Sequence, residues 1–284
     1  MSSILTSVLV LGITGLVLGL VLFLVARKFH VEENPKVKLI EELLPGANCG
    51  GCGYPGCAGF ARACADCDSM DGLRCTVCKD EVMQQIAEIT GHAVSVSEKQ
   101  IAVVRCSGSC ENRPSVNSYD GAANCAVAAL QTGGETGCFY GCLGLGDCVS
   151  ACSFGAIYMD GTTGLPVVDQ DKCNGCGACS KACPRNIIEI RNRNKMDRRV
   201  YVSCVNRDRG PIARNACSVA CIGCGKCVSA CAFDAIVMEN NLAYIDQDKC
   251  RLCRKCESEC PQHSILAVNF PSRRDEEPSS TQQN

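Results

Sequence analysis

Twelve cysteines of this chain fall into three copies of one pattern, with the spacing that wraps thiolates around an iron–sulfur cubane. The copies are Cys173-x2-Cys176-x2-Cys179-x3-Cys183-Pro184, Cys221-x2-Cys224-x2-Cys227-x3-Cys231 and Cys250-x2-Cys253-x2-Cys256-x3-Cys260-Pro261. Each iron of a four-iron cluster takes one soft, deprotonated sulfur, so four thiolates must converge on a small volume. Two-residue gaps set three thiolates around one cluster, and the fourth, after a longer gap, points to a neighbouring cluster. Three chance matches in one chain are not credible. The chain reads as an iron–sulfur protein.

A fourth, worn copy extends the pattern. Cys138-x3-Cys142-x5-Cys148-x3-Cys152 matches Cys217-x3-Cys221-x5-Cys227-x3-Cys231, but Leu145 stands where Cys224 stands later. The likeness reaches beyond ligands: Val149-Ser-Ala recurs as Val228-Ser-Ala, Phe154-x-Ala-Ile as Phe233-x-Ala-Ile, and Asp169-Gln-Asp-Lys as Asp246-Gln-Asp-Lys. Val104-Arg-Cys106 is echoed by Val202-Ser-Cys204. Duplication at this spacing predicts two stacked domains of one fold. In the second repeat Cys221, Cys224, Cys227 and Cys260 are expected to hold one cubane, and Cys231, Cys250, Cys253 and Cys256 the other. In the first, Cys152, Cys173, Cys176 and Cys179 make an intact set. Cys138 is expected to replace the lost thiolate in a set with Cys142, Cys148 and Cys183; a three-iron cluster or an empty site is the alternative.

Cys49-Gly-Gly-Cys52-Gly-Tyr-Pro-Gly-Cys57 is a separate constellation, needing a fourth thiolate from around residue 75. Its glycines permit backbone conformations closed to other residues and let amides approach cluster sulfides. Four thiolates also suit tetrahedral zinc, but the neighbouring motifs favour iron. These sets use 20 cysteines and about five clusters. Cys106, Cys110 and Cys125, with Cys204 and Cys217, leave room for more. Cys64, Cys67 and Cys78 read as buried inert thiols.

The rest of the chain must position these thiols. It has 284 residues, 28 of them Cys, no Trp and only six Tyr and seven Phe. Its hydrophobic core must therefore be thin, and metal–thiolate bonds should supply much of the folding free energy. Net charge is −2, and no nucleic-acid partner is expected. Ile4 to Ala26 carries no charge and at 1.5 Å per residue spans about 34 Å, enough for a bilayer. A cleaved signal peptide is disfavoured: no Lys or Arg precedes the run, which is too long. Arg27 and Lys28 follow it, so the positive-inside rule puts the N-terminus outside and the remainder in the cytoplasm. Gly12, Gly15 and Gly19 share one face that another membrane helix could approach.

Periodicity predicts helices over 37–44, 58–64 and 80–89 and extended segments at 93–97, 101–104, 156–159, 165–168 and 242–245. The polar tail from Pro271 reads as disordered. The expected fold class is α+β: one N-terminal transmembrane helix (1–28), a small Cys-rich four-iron cluster domain (29–104), a Cys-containing connector (105–133), two tandem bacterial-type dicluster ferredoxin domains (134–199 and 200–269) and a tail (270–284).

A single membrane helix, then Cys-Gly-Gly-Cys-Gly-Tyr-Pro-Gly-Cys, then ferredoxin motifs: this order closely resembles the B subunits of Rnf complexes, the ion-translocating ferredoxin:NAD oxidoreductases of bacterial and some archaeal membranes. The resemblance covers residues 1 to about 270, in the longer form with two dicluster domains. It implies Cys49, Cys52, Cys57 and Cys75 as ligands of the N-terminal cluster. Thr76-Val77-Cys78 departs from the Pro-Gly-Gly common there, which keeps Cys78 as the alternative. It also implies electron transfer from soluble reduced ferredoxin to membrane and flavin-bearing subunits, in the cytoplasmic membrane. The residues agree: the Gly-x-Gly-x-x-Gly spacing at Gly51–Gly56 lies inside the cysteine motif and lacks the preceding predicted strand that a dinucleotide fingerprint needs; there is no phosphate loop, and His30, His92 and His263 are scattered. The chain is a wire rather than an active site. Other membrane redox complexes, or a zinc-stabilised tethered scaffold, are the rival readings. The basic segment Arg191, Arg193, Lys195, Arg198 and Arg199 is either a docking patch for an acidic ferredoxin or a solvated linker.

Overall fold

The computed structural model describes residues 2–28, 34–93, 99–131, 133–194 and 196–271. Helix α1 (Ser2–Lys28) ends on Arg27 and Lys28, cations suited to a helix C-terminus. Within it Leu5–Val25 is long and apolar enough to cross a membrane. The Thr14 hydroxyl donates to the Val10 carbonyl at 3.0 Å, which satisfies its polar group inside an apolar stretch. Apart from the helix's own nearby backbone, nothing among the described residues comes within 4 Å of a Cβ built at Gly12, Gly15 or Gly19.

The next module packs α2 (Pro35–Leu43), α3 (Gly56–Asp66) and α4 (Asp80–Thr90) around Ile40, Phe60, Met70, Met83 and Ile86. Local sequence sets the helix ends. Asn34 caps α2 by accepting from the Lys36 amide at 3.1 Å, with Pro35 in the first turn; α4 stops at Gly91, which adopts φ +85°, the left-handed C-cap that glycine tolerates best. The expected strand at 93–97, apart from Ala93, and the tail from 272 fall outside the described residues.

Two repeats follow with the same strand topology. The first contains β1 (Gln100–Val104), α5 (Cys125–Gln131), α6 (Asp147–Ser150), β2 (Ile157–Met159), β3 (Pro166–Val168), α7 (Ala178–Ala182) and β4 (Ile188–Asn192). The second contains β5 (Arg199–Val202), α8 (Gly210–Ala216), α9 (Lys226–Ala230), β6 (Ile236–Glu239), β7 (Leu242–Ile245), α10 (Lys255–Ser258) and β8 (Ile265–Val268). In each, the first strand pairs antiparallel with the last and the middle two form a hairpin: β1 with β4 and β2 with β3, then β5 with β8 and β6 with β7. So β1 is the opening strand of the first repeat, not the end of the N-terminal domain, and the expected connector 105–133 lies inside that repeat. Periodicity marks a strand but not its partner, and β1 and β4 are separated by more than eighty residues.

The repeats meet through Ile101 and Val103 of β1, Tyr201 of β5 and Leu266 and Val268 of β8. Ser107 Oγ and Ser203 Oγ lie 2.6 Å apart, the Ser218 amide donates to the Asn112 carbonyl at 2.8 Å, and Arg105 Nε donates to the Val202 carbonyl at 3.3 Å. The segment 191–199 belongs to this interface. Arg191 and Arg199 are 2 % and 6 % exposed. Arg191 lies over the rings of Tyr201 and Tyr244 and pairs with Glu189; Arg193 and Arg199 pair with Asp197. Neither reading of the segment, solvated linker or docking patch, describes it: Arg191, Arg193 and Arg199 are turned inward or paired, and Arg198 lies over the Phe270 ring. Lys195 lies outside the described residues.

Candidate metal centres

The thiols gather into cages. Cys49, Cys52, Cys57 and Cys75 line one cavity beneath α3. Cys152, Cys173, Cys176 and Cys179 line a second, and Cys221, Cys224, Cys227 and Cys260 a third. A fourth is lined by Cys106, Cys138, Cys204 and Cys217, a combination the spacing did not predict. Each of these cavities is lined by four converging thiols. Such equal donor sets suit one common guest.

The fourth cage joins matching positions of the two repeats: Cys106 answers to Cys204 and Cys138 to Cys217. This corrects the grouping of Cys138 with Cys142, Cys148 and Cys183. The thiol that comes close to Cys148, beside Cys183, is Cys125. The Cys125 amide donates to Asp147 Oδ1 at 2.9 Å, which ties the start of α5 to the ligand loop and brings its thiol near the place that Leu145 leaves empty. Cys142 lies near both Cys148 and Cys106. The last group is Cys256 with Cys250, Cys253 and Cys231. The missed ligands had one legible signal, the paired Val-x-Cys echoes at Cys106 and Cys204.

Burial pushes the thiols of Cys142, Cys179, Cys204 and Cys256 up to about 12, and those of Cys148 and Cys227 to about 11. In a metal-free chain they are neutral, and a metal must displace their protons. Cys75 is the exception: a hydrogen bond from the Cys78 thiol holds it down at about 6, while Cys78 is raised. Cys75 faces the cavity and Cys78 serves as its donor. Cys64, fully buried and pushed up to about 12 chiefly by burial, accepts from the Cys67 thiol through its carbonyl at 3.1 Å.

The groups present fit iron–sulfur cubanes. Amides of Ala102, Ala156, Asn206 and Ser264 donate to Sγ of Cys173, Cys152, Cys204 and Cys260 at 3.4–3.5 Å, as thiolate ligands require. Two buried polar atoms beside the cages have no partner, Thr76 Oγ1 next to Cys75 and Arg113 Nε in the cage of Cys106; a cluster sulfide is an acceptor of suitable charge. Zinc fits less well. It draws four sulfurs to about 2.3 Å, and among the described residues no three His, Cys, Asp or Glu side chains are grouped to hold one metal ion.

The ligand assignments give a sharp contrast. Cys125→Ala should lower bound iron by about four atoms, or by one if a three-iron remnant survives. Cys110→Ala should remove none, because Cys110 is exposed and belongs to no cage. Iron analysis of the two variants beside the parent decides it.

Comparison with known proteins agrees with the site. Family models match at residues 166–189 (4Fe-4S binding domain), 220–264 (4Fe-4S dicluster domain) and 44–67 (an Fe-S cluster family). The class is therefore that of 4Fe-4S proteins. The chain is 44% identical over 271 residues to the B subunit of the Na(+)-translocating ferredoxin:NAD(+) oxidoreductase complex of Acetobacterium woodii, a match covering 93% of this chain and 78% of that one. It is 41% identical to the B subunit of the proton-translocating ferredoxin:NAD(+) oxidoreductase complex of Clostridium ljungdahlii (94% of each chain) and to that of the ion-translocating oxidoreductase complex of Methanosarcina acetivorans (93% and 99%). The chain belongs to the family of B subunits of ion-translocating ferredoxin:NAD(+) oxidoreductase, or Rnf, complexes.

Proposed function

We propose that this chain is the electron-relay subunit of such a complex, with six cages in one unbroken line between reduced ferredoxin and the membrane partners. Clusters held there supply reversible one-electron transfer, at potentials that reach about −400 mV in some ferredoxins. The ligand sets are the five predicted ones, with Cys125 in the place of Cys138, and a sixth of Cys106, Cys138, Cys204 and Cys217. About twenty-four of the cysteines are then ligands.

One observation carries the reading: each cage has a thiol within electrostatic reach of the next. Cys49 neighbours Cys176, Cys148 neighbours Cys179, Cys106 neighbours Cys142, Cys221 neighbours Cys204, and Cys227 neighbours Cys256. The cage of Cys106 and Cys204 closes the gap between two tandem dicluster ferredoxin units. At the other end the N-terminal cage follows α1 after only residues 29–48, so the line starts beside the membrane. Arg27 and Lys28 favour a cytoplasmic position for everything after α1. The Gly51-x-Gly53-x-x-Gly56 spacing follows helix α2 and not the strand of a nucleotide-binding fingerprint, so NAD reduction and ion movement fall to other subunits.

The approach of the first two cages depends on Gly51. A Cβ there would lie 2.7–2.9 Å from the carbonyl oxygen, Cα and Cβ of Cys176, closer than atoms pack. Lys181 Nζ adds a hydrogen bond to the Gly50 carbonyl at 3.2 Å. Full-length protein reduced by ferredoxin should show low-temperature EPR spectra with spin coupling between neighbouring clusters. Gly51→Val should keep its iron but lose the coupling of the N-terminal cluster. Failure of reduced ferredoxin to reduce the chain, or spectra free of coupling, would contradict the relay.

A further inference from the structure

The two repeats present the same ligand-loop face, but among the described residues only one of these faces is covered. In the first repeat the loop Cys173–Cys179 is met by the N-terminal cage module: Gly51 sits against Cys176, and the carbonyl of Gly50 receives Lys181. Cys253 is the counterpart of Cys176 in the second repeat, and it is exposed. It also belongs to the last cage of the line, furthest along the chain of cages from α1.

The uncovered loop differs from its three relatives in a second way. Each ligand loop has two residues in the left-handed region. They are Gly144 and Gly146, Gly175 and Gly177, and Gly223 and Gly225, with φ between +66° and +82°. In the outermost loop they are Leu252 at +59° and Arg254 at +64°, a strained conformation for residues with side chains. Where the first repeat has Lys172-Cys-Asn-Gly-Cys-Gly-Ala-Cys179, this loop reads Lys249-Cys-Arg-Leu-Cys-Arg-Lys-Cys256. Four cations and no acid lie between Lys249 and Cys256. Arg254 is held by Glu257 at 2.7 Å and by the Phe270 ring at 5.0 Å, and Lys249 lies 4.0 Å from Asp246. Arg251 and Lys255 are exposed, and neither forms an ion pair among the described residues. Besides Glu257, which Arg254 takes, the acids nearest in sequence are Asp248 and Glu259, both exposed on the flanks.

We propose that this face, centred on Cys253 and ringed by Arg251, Leu252 and Lys255, is the docking site for a soluble iron–sulfur protein with an acidic surface around its own cluster. The N-terminal module's seat on Cys176 is the internal precedent for one cluster-bearing loop lying on another. The basic ring supplies charge complementarity and steering, and Leu252 a small apolar contact. One electron leaves the docked protein and one is taken up by the chain; no bond or proton changes hands. The inference rests on the relay reading above and adds where the relay is loaded.

The test uses the full chain in detergent and a reduced acidic bacterial ferredoxin as probe, followed by stopped-flow absorbance. Arg251→Glu with Lys255→Glu should lower the second-order rate constant at least tenfold at low salt and flatten its salt dependence, with unchanged iron content. Arg251→Gln with Lys255→Gln should give an intermediate loss, should the reversed pair hold less iron. Lys36→Glu with Lys38→Glu, exposed on α2, should be silent. Equal rates for parent and loop variants, or equal slowing by the α2 pair, would overturn the docking site while leaving the relay intact. A parent chain that excess chemical reductant reduces but ferredoxin does not would remove the relay reading, and this site with it.

Discussion

A chain carrying Cys106→Ala and Cys217→Ala should lose about four of about 24 iron atoms and, with them, electron exchange between its two halves. One thiol is removed from each repeat, and the two that remain, Cys138 and Cys204, cannot close a cubane. The flanking cages keep all their thiols, so both halves should still be reduced by excess chemical reductant. Electrons delivered at the C-terminal side should reach the N-terminal cluster slower by orders of magnitude, seen as two separate phases by freeze-quench EPR. The fold should survive, because the repeats are also joined by Ile101, Val103 and Tyr201, by the Ser107–Ser203 contact and by the hydrogen bond from Arg105 to the Val202 carbonyl. Transfer at the parental rate would mean that electrons do not pass by way of this cage.

Removing all iron should have the larger effect on stability. The three main cores of the cage-bearing region each contain ligand cysteines among their buried residues: Cys227 and Cys256 in one, Cys142, Cys148 and Cys179 in another, Cys75 in the third. Without metal these cores surround cavities lined with thiols. Structural metal sites can contribute on the order of 10 kcal/mol of folding free energy, comparable to the whole stability of a domain at about 5–15 kcal/mol. Anaerobic chelation should therefore abolish the strand signal in circular dichroism and expose residues 34–271 to protease. In detergent α1 should persist, since no cage supports it. An iron-free chain that keeps protease resistance would show that the apolar core alone suffices.

Local pattern and long-range pairing separate what the sequence reveals from what it hides. The thiol sets of Cys173–Cys183 and Cys221–Cys260 are written in gaps of two and three residues, and α1 in an uninterrupted apolar run. Helices α2, α3 and α4 follow from apolar spacing and end signals close to where they stand. The cage of Cys106, Cys138, Cys204 and Cys217 is different, because two of its thiols come from each repeat and the matching members, Cys106 with Cys204 and Cys138 with Cys217, lie far apart in the sequence. Its trace was the duplication itself, read as an echo of strands rather than as half of a site. Cys125 was hidden for a related reason: it substitutes in space for Leu145, not at that position in the chain. The basic segment 191–199 looked free because its neutralising partners, Glu189, Tyr201 and Tyr244, act through β-pairing and burial.

Iron and acid-labile sulfide, counted per chain in anaerobically purified protein, test the continuous line most directly. Six filled cages predict about 24 atoms of each. A count near 20, with Cys138→Ala lowering it no further, would leave the cage between the repeats without a cluster and break the line in the middle.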